Sequence, residues 1–175
     1  MALDGKKIAI LVASDVEDLE YYVPLMRLQE EGATVLTAAM ELKPLRGKNG
    51  VPIVPDTLIS ALNARDLSGL VIPGGWAPDK LRRFPEVTVL VRGLYDAGKP
   101  IGIICHGGLV AISAGIVRGR RATGSVGIKD DLINAGATWV DEAAFRDGNL
   151  IWGRVVADIP AFCRELVQAL REARA

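Results

Sequence analysis

Cys105 stands at the end of the apolar run Ile101-Gly-Ile-Ile104 and directly before His106-Gly107-Gly108. A buried strand that turns abruptly into a helix strains the turn residue and exposes its side chain above the sheet. Glycines let the backbone bend and pack closely there. A thiol at the start of the following helix feels the positive end of the helix dipole, which favours thiolate, the nucleophilic form. The pattern predicts a nucleophile elbow rather than the small, inert core residue that a free cysteine often is. His106, the only histidine, could act through its ring as base or hydrogen-bond partner. Its backbone N–H, directly after the nucleophile, is placed to donate to an oxyanion. A helix-start residue with an exposed ring is the plainer alternative.

Two other junctions hold candidate groups. Pro73-Gly74-Gly75 follows the apolar run Leu70-Val-Ile72, and such glycines present backbone N–H groups to a cleft, so Gly75 could supply a second oxyanion donor. An ordinary turn uses the same residues. Ser14-Asp-Val-Glu-Asp-Leu-Glu20 places four acids after the first apolar run. Ser14 with Glu17 fits a capping box, and acids suit a positive helix end. Glu20 is less needed for capping. A protonated carboxyl there, aimed at the sulfur, would donate a hydrogen bond and tune the cysteine. Cys163 falls on the apolar stripe of the last helical segment and reads as structural. Trp76, beside the glycine pair, is placed to line the cleft.

The elements that must position these groups alternate. Lys7–Ala13, Thr34–Ala39, Leu70–Ile72 and Ile101–Ile104 read as buried strands, with further strands near Thr138–Val140 and Leu150–Trp152. Helical stretches run to about Glu31, over Glu86–Ala97, over Leu109–Ala114 and along the C-terminal segment, with Gly32, Gly98 and Gly115 as stops. Pro24 implies that the first helix begins near it or has irregular first turns. Leu42–Val54, punctuated by Gly47, Asn49-Gly50 and Pro52, reads as a hairpin or extended excursion. Strands alternating with helices imply a mostly parallel sheet covered on both faces, with ligands bound beyond the strands' carboxyl ends. No linker or repeat divides residues 1–175, which are expected to form a single domain.

The totals exclude several classes. The chain has 175 residues, half of them apolar, with 21 basic and 21 acidic side chains. That balance offers no footprint for nucleic acid, and the cluster Arg118-Gly-Arg120-Arg121 reads as solvated loop. No stretch approaches the roughly 20 apolar residues of a membrane span. The apolar run after Lys7 is too short for a signal peptide core, so a cytoplasmic protein is expected. Two distant cysteines and one histidine offer neither a disulfide framework nor a metal site, and no cofactor is expected.

Taken together, the motifs resemble the PfpI family of intracellular proteases and general stress proteins. That family shares a superfamily with the Parkinson-associated deglycase and class I glutamine amidotransferase domains. The carriers are Glu17-Asp-Leu-Glu20 with Pro24, Leu28-Gln-Glu-Glu-Gly32, Leu70-Val-Ile-Pro-Gly-Gly75 with Ala77-Pro78, Ile104-Cys-His-Gly107, and Gly127-Ile-Lys-Asp-Asp131 with Ile133-Asn-Ala-Gly136. The resemblance implies a flavodoxin-like three-layer sandwich with a mostly parallel central sheet and a cysteine nucleophile elbow. It implies a homodimer or homohexamer, Cys105 as nucleophile, Glu20 as its carboxyl partner, and Gly75 and His106 as backbone oxyanion donors. It also implies that an acid from a neighbouring subunit orients His106. The family has Glu at that position, and here it is the shorter Asp79.

The expected function is that of a stress-response cysteine hydrolase. Its Cys105 thiolate would attack the carbonyl of a peptide, a glycated side chain or a dicarbonyl such as methylglyoxal. The alternative is a redox sensor working through reversible oxidation of Cys105. An amidotransferase triad would need a second histidine, which is absent. No phosphate-loop glycine pattern follows the first strand, which speaks against a pure binding module.

Overall fold

The computed structural model describes residues 1–173. The elements in order are β1 (Lys7–Leu11), α1 (Asp18–Glu30), β2 (Thr34–Ala39), β3 (Leu45–Arg46), β4 (Pro52–Ile53), β5 (Thr57–Leu58), β6 (Gly69–Ile72), α2 (Ala77–Leu81), α3 (Pro85–Asp96), β7 (Ile101–Ile104), α4 (Gly108–Ser113), β8 (Arg121–Ala122), α5 (Lys129–Asn134), β9 (Thr138–Trp139), β10 (Ala144–Asp147), β11 (Leu150–Gly153) and α6 (Ile159–Glu172). The main sheet has the order β10-β11-β7-β6-β1-β2-β5. Every pairing in it is parallel except β10 with β11.

The central strands are apolar on both faces because both faces are covered. β6, β7 and β11 are buried at every residue. α1 and α6 pack together on one face, and α2, α3, α4 and α5 form the other layer. Two strand glycines make room for one large side chain of α6. A Cβ on Gly102 would lie 2.9 Å from Phe162 Cζ, and one on Gly153 would lie 3.0 Å from Phe162 Cβ. Ile159, Phe162, Cys163, Leu166, Val167 and Leu170 of α6 are all buried, so Cys163 is a core residue as its spacing predicts. This is the flavodoxin-like sandwich expected of the sequence. Among the described residues, no helix is long and apolar enough to cross a membrane.

Several local expectations change. α1 starts at Asp18 and runs straight through Pro24, whose ring is buried. Proline in a helix interior removes one backbone bond, here the one to the Glu20 carbonyl, without ending this helix. The excursion at 42–54 does form the β3–β4 hairpin. Thr138–Trp139 pairs with β8 rather than joining the main sheet. Chain order reverses between β1 and β6, and a ligand crevice is expected beyond the carboxyl ends of those strands. The three junctions singled out in the sequence meet there.

Candidate active site

The backbone at Cys105 is left-handed, with φ 58°; Asp15, at φ 64°, is the other non-glycine residue in that region among the described residues. A β7 strand ending in a single 3-10 turn, Cys105–Gly107, forces this bend. Two glycines permit it. A Cβ on Gly107 would lie 2.3 Å from the Ile72 carbonyl oxygen, and one on Gly124 would lie 2.6 Å from the Cys105 carbonyl oxygen. Ser125 N–H then donates to that Cys105 carbonyl at 3.3 Å.

Glu20 lies on the first turn of α1 and is completely buried. Its Oε2 accepts the Gly74 N–H at 2.7 Å. Its Oε1 has no hydrogen-bond partner among the described residues. A buried carboxylate oxygen without a donor is costly, whereas a protonated one can donate. Burial accordingly pushes Glu20 up to about 7, against the Gly74 hydrogen bond and the Cys105 thiol, which pull it down. Cys105 itself is half-buried. Burial first, and then the Glu20 charge, push its thiol up to about 12, while the backbone N–H groups of His106 and Gly75 act on the sulfur in the opposite direction.

Burial beside a carboxylate works against the expected thiolate. Behind the sulfur stand one 3-10 turn and a six-residue helix, whose dipole acts in the opposite sense to that burial. Cys105 and Glu20 instead titrate as a pair. The pair sheds one proton near neutrality and resists losing the second. The single negative charge sits on Glu20 or on the sulfur according to which of them holds the remaining proton. The Glu20 carboxyl is thus placed beside Cys105.

His106 places Nδ1 3.3 Å from Cys105 Sγ. Its ring tilts against Trp76, with centroids 5.9 Å apart. Burial, helped by Lys48, holds the imidazole below its ordinary value and so favours the neutral ring. Asp79 is an exposed residue of α2 and pairs with Arg83 of the next turn, and among the described residues it makes no hydrogen bond or ion pair with His106. Gly75 has φ 73°, and a Cβ there would meet the Asp15 carbonyl oxygen and the Glu17 nitrogen, each at 2.4 Å.

A cavity of about 360 Å³ opens above these groups, lined by Glu17, Glu20, Lys48, Trp76, Cys105 and His106 among others. Trp76 is in its wall, as its place in the sequence predicts. The capping box is not formed: Glu17 is the N-cap, with no side-chain capping bond. Ser14 Oγ instead accepts from Lys80 Nζ at 2.8 Å. Asp18 is likewise more than a helix-start acid. It accepts from Asn49 N–H at 2.7 Å and Val51 N–H at 3.0 Å, clipping the β3–β4 turn to α1.

Three contributors escape sequence reasoning. Gly74 is the most constrained, because a Cβ would fall 2.5 Å from Glu20 Oε2, 2.8 Å from Cys105 Cβ and 2.9 Å from the His106 nitrogen. Lys80 donates to Asp15 Oδ2 at 2.6 Å and to the Ser14 carbonyl at 3.1 Å, fixing the left-handed turn. The Asp15 carbonyl in turn accepts the Trp76 N–H at 2.8 Å, so the clamp reaches the Gly74–Gly75 loop. Lys48 enters from the hairpin. Its one sequence signal is the pair of glycines, Gly47 and Gly50, that flank it. Among the described residues no cluster of side chains could hold a metal ion.

The model of the DJ-1/PfpI family matches residues 6–169. A protein of Pyrococcus horikoshii named deglycase PH1704 is 41% identical over 165 residues, which is 94% of this chain and 99% of that one. General stress protein 18 of Bacillus subtilis is 36% identical over 171 residues, covering 96% of this chain and 99% of its own. A crystal structure of a two-domain protein from Anabaena variabilis, containing DJ-1/ThiJ/PfpI-like and ferritin-like domains, superposes with a TM-score of 0.93 at 34% identity. It covers 97% of this chain, which spans 52% of that two-domain chain.

Proposed function

We propose that this chain, which belongs to the DJ-1/PfpI family, is a cysteine-dependent hydrolase of carbonyl compounds in which Glu20 serves as the base for Cys105. The observation that carries the reading is the buried Glu20 carboxyl. One of its oxygens is held by Gly74 N–H and the other is without a donor, in a pair with a sulfur on a left-handed turn.

The chemistry follows from that pair. Sγ attacks the carbonyl carbon as its proton passes to Glu20. An S–C bond forms, and the carbonyl π electrons move to oxygen, where the Gly75 and His106 N–H groups receive the charge. With a peptide, the C–N bond then breaks, the Glu20 proton goes to the departing amine, and a thioester remains. With a 2-oxoaldehyde the adduct is a hemithioacetal. Moving its C1 hydrogen as a proton to C2 gives the thioester of a 2-hydroxy acid with no outside oxidant. An amine adduct of the same dicarbonyl joins this route once the amine has left. Water cleaves the thioester to a carboxylate and restores Cys105.

Relatives named deglycase favour the dicarbonyl and its adducts over peptides. A peptide amine is the hardest of these leaving groups, and among the described residues His106 has no acid partner to make it a stronger proton donor. Asp79 reaches His106 only from a second copy, so assembly as a homodimer or homohexamer is part of this proposal. A stress-response role in the cytoplasm is the setting that best fits it. The competing redox-sensor role needs a resting thiolate, and burial at Cys105 works against one.

The test is turnover of methylglyoxal, of methylglyoxal-treated peptide and of casein by wild type and Cys105→Ala. Cys105-dependent turnover of at least one substrate is expected, highest for the first two. Equal rates in the two proteins on all three would end the proposal.

A further inference from the structure

The turn Gly47–Gly50 is constructed so that its one cation reaches the Cys105 cavity. Asp18, itself buried, accepts from Asn49 N–H, Asn49 Nδ2 and Val51 N–H. Gly47 is required for that approach, since a Cβ there would lie 2.2 Å from Asp18 Oδ1. Lys48 N–H donates to the Val16 carbonyl at 2.8 Å. The backbone under Lys48 is therefore fixed, while its side chain, 46% exposed, forms part of the cavity wall.

Lys48 is the one lysine or arginine in that wall among the described residues. The nearest carboxylate, Glu17 Oε2, is 3.8 Å from its ammonium, which is an ion pair beyond hydrogen-bond reach. Two other lysines of the fold use their donors on fixed acceptors. Lys80 binds Ser14 and Asp15, and Lys99 binds the carbonyls of Ala64, Arg65 and Leu67. Lys48 keeps three N–H donors for whatever occupies the cavity. Trp76 and Val155 line the same cavity and suit a small carbon skeleton. Glu17 sets a limit, because an entering anion must compete with it for the ammonium.

We propose that Lys48 is a carboxylate-binding residue of this cavity, holding the 2-hydroxy carboxylate product of a small dicarbonyl. Every route considered above ends in a carboxylate, and the dicarbonyl routes end in one with a 2-hydroxyl group. The choice of ligand rests on that reading, but the binding site can be tested without any turnover.

Cys105 serves as the reporter. Iodoacetamide and iodoacetate alkylate a thiol by the same displacement, in which the S–H proton is lost to a base, an S–C bond forms, the C–I bond breaks and iodide leaves. Only iodoacetate carries a carboxylate. In wild type, lactate at millimolar concentration should slow iodoacetamide alkylation of Cys105, and lactamide should not. The iodoacetate-to-iodoacetamide rate ratio should fall about tenfold in Lys48→Met, the scale of one half-exposed charge-assisted contact. Lys48→Arg should keep most of that ratio and of the protection by lactate. Lactate that fails to protect wild type, lactate that protects Lys48→Met equally, or a ratio unmoved by Lys48→Met would each overturn the assignment. Failure of methylglyoxal turnover, with alkylation behaving as described, would instead overturn only the dicarbonyl reading.

Discussion

Replacing Glu20 by glutamine should make the protein more stable at pH 8 and disable it at the same time. Unfolded, this carboxyl releases its proton near its ordinary value of 4.5; folded, burial holds the proton until about 7. Between those values the native state binds more protons than the unfolded one, so raising the pH stabilises the unfolded state. At about 1.36 kcal/mol per pH unit, the cost of burying the charge reaches about 3 kcal/mol above pH 7. The glutamine amide carries no charge and still offers an oxygen to Gly74 N–H. The advantage of Glu20→Gln over wild type should therefore be small at pH 4.5 and grow to about 3 kcal/mol by pH 8. Titrating groups that are not coupled to Glu20 cancel in that difference. With a urea dependence of about 2 kcal/mol/M, the midpoints should separate by about 1.5 M across this range. Cys105-dependent turnover in wild type should rise with pH through about 7, as the pair loses its first proton. Without the base it should drop by about 10²–10⁴-fold. A midpoint difference that stays constant from pH 4.5 to 8 would refute the buried-carboxyl reasoning. Unchanged turnover in Glu20→Gln would refute its role as base.

Substitutions at three further positions test the supporting structure. Gly74→Ala should abolish Cys105-dependent turnover and cost about 1–3 kcal/mol in urea unfolding, because its Cβ would intrude on Glu20, Cys105 and the His106 nitrogen at once. Lys80→Met should lower kcat about tenfold with little change in KM, by releasing the left-handed Asp15 turn that braces the Gly74–Gly75 loop; Lys80→Arg should recover part of the loss. Asp79→Ala should lower activity only if Asp79 acts across a subunit contact. Wild type should then lose specific activity on dilution in step with its light-scattering mass, and the variant should not.

How much of this was legible in the sequence follows from the distance along the chain between partners. The elbow at Ile104–Gly108 could be read because strand, nucleophile and glycines are contiguous. The alternation of elements gave the parallel sheet for the same reason. β10 was not distinguishable, since it is an antiparallel edge strand of four residues with only Phe145 buried. The parts that complete the site join segments far apart. Asp18 to Asn49 spans 31 residues, Glu20 to Gly74 spans 54, and Asp15 to Lys80 spans 65. No local pattern marks Gly74 as different from any turn glycine, or Lys48 as different from any loop lysine. The capping box at Ser14 and Glu17 was a local rule correctly applied and overruled by Lys80, which claims the Ser14 hydroxyl.

A thiolate made by the helix dipole follows from the turn and the helix after it; the carboxyl arriving from α1 acts against it. Folding alone has little reason to put an unpaired carboxyl oxygen with no solvent exposure against a sulfur that burial also keeps protonated, because each raises the cost of charging the other. Exchanging Glu20 for an uncharged residue of the same shape would remove that cost. A fold that nevertheless keeps the arrangement, and braces it with a second left-handed residue at Asp15, holds one mobile proton between two groups. That is the condition under which an otherwise neutral thiol can be charged at the moment a carbonyl carbon is in reach.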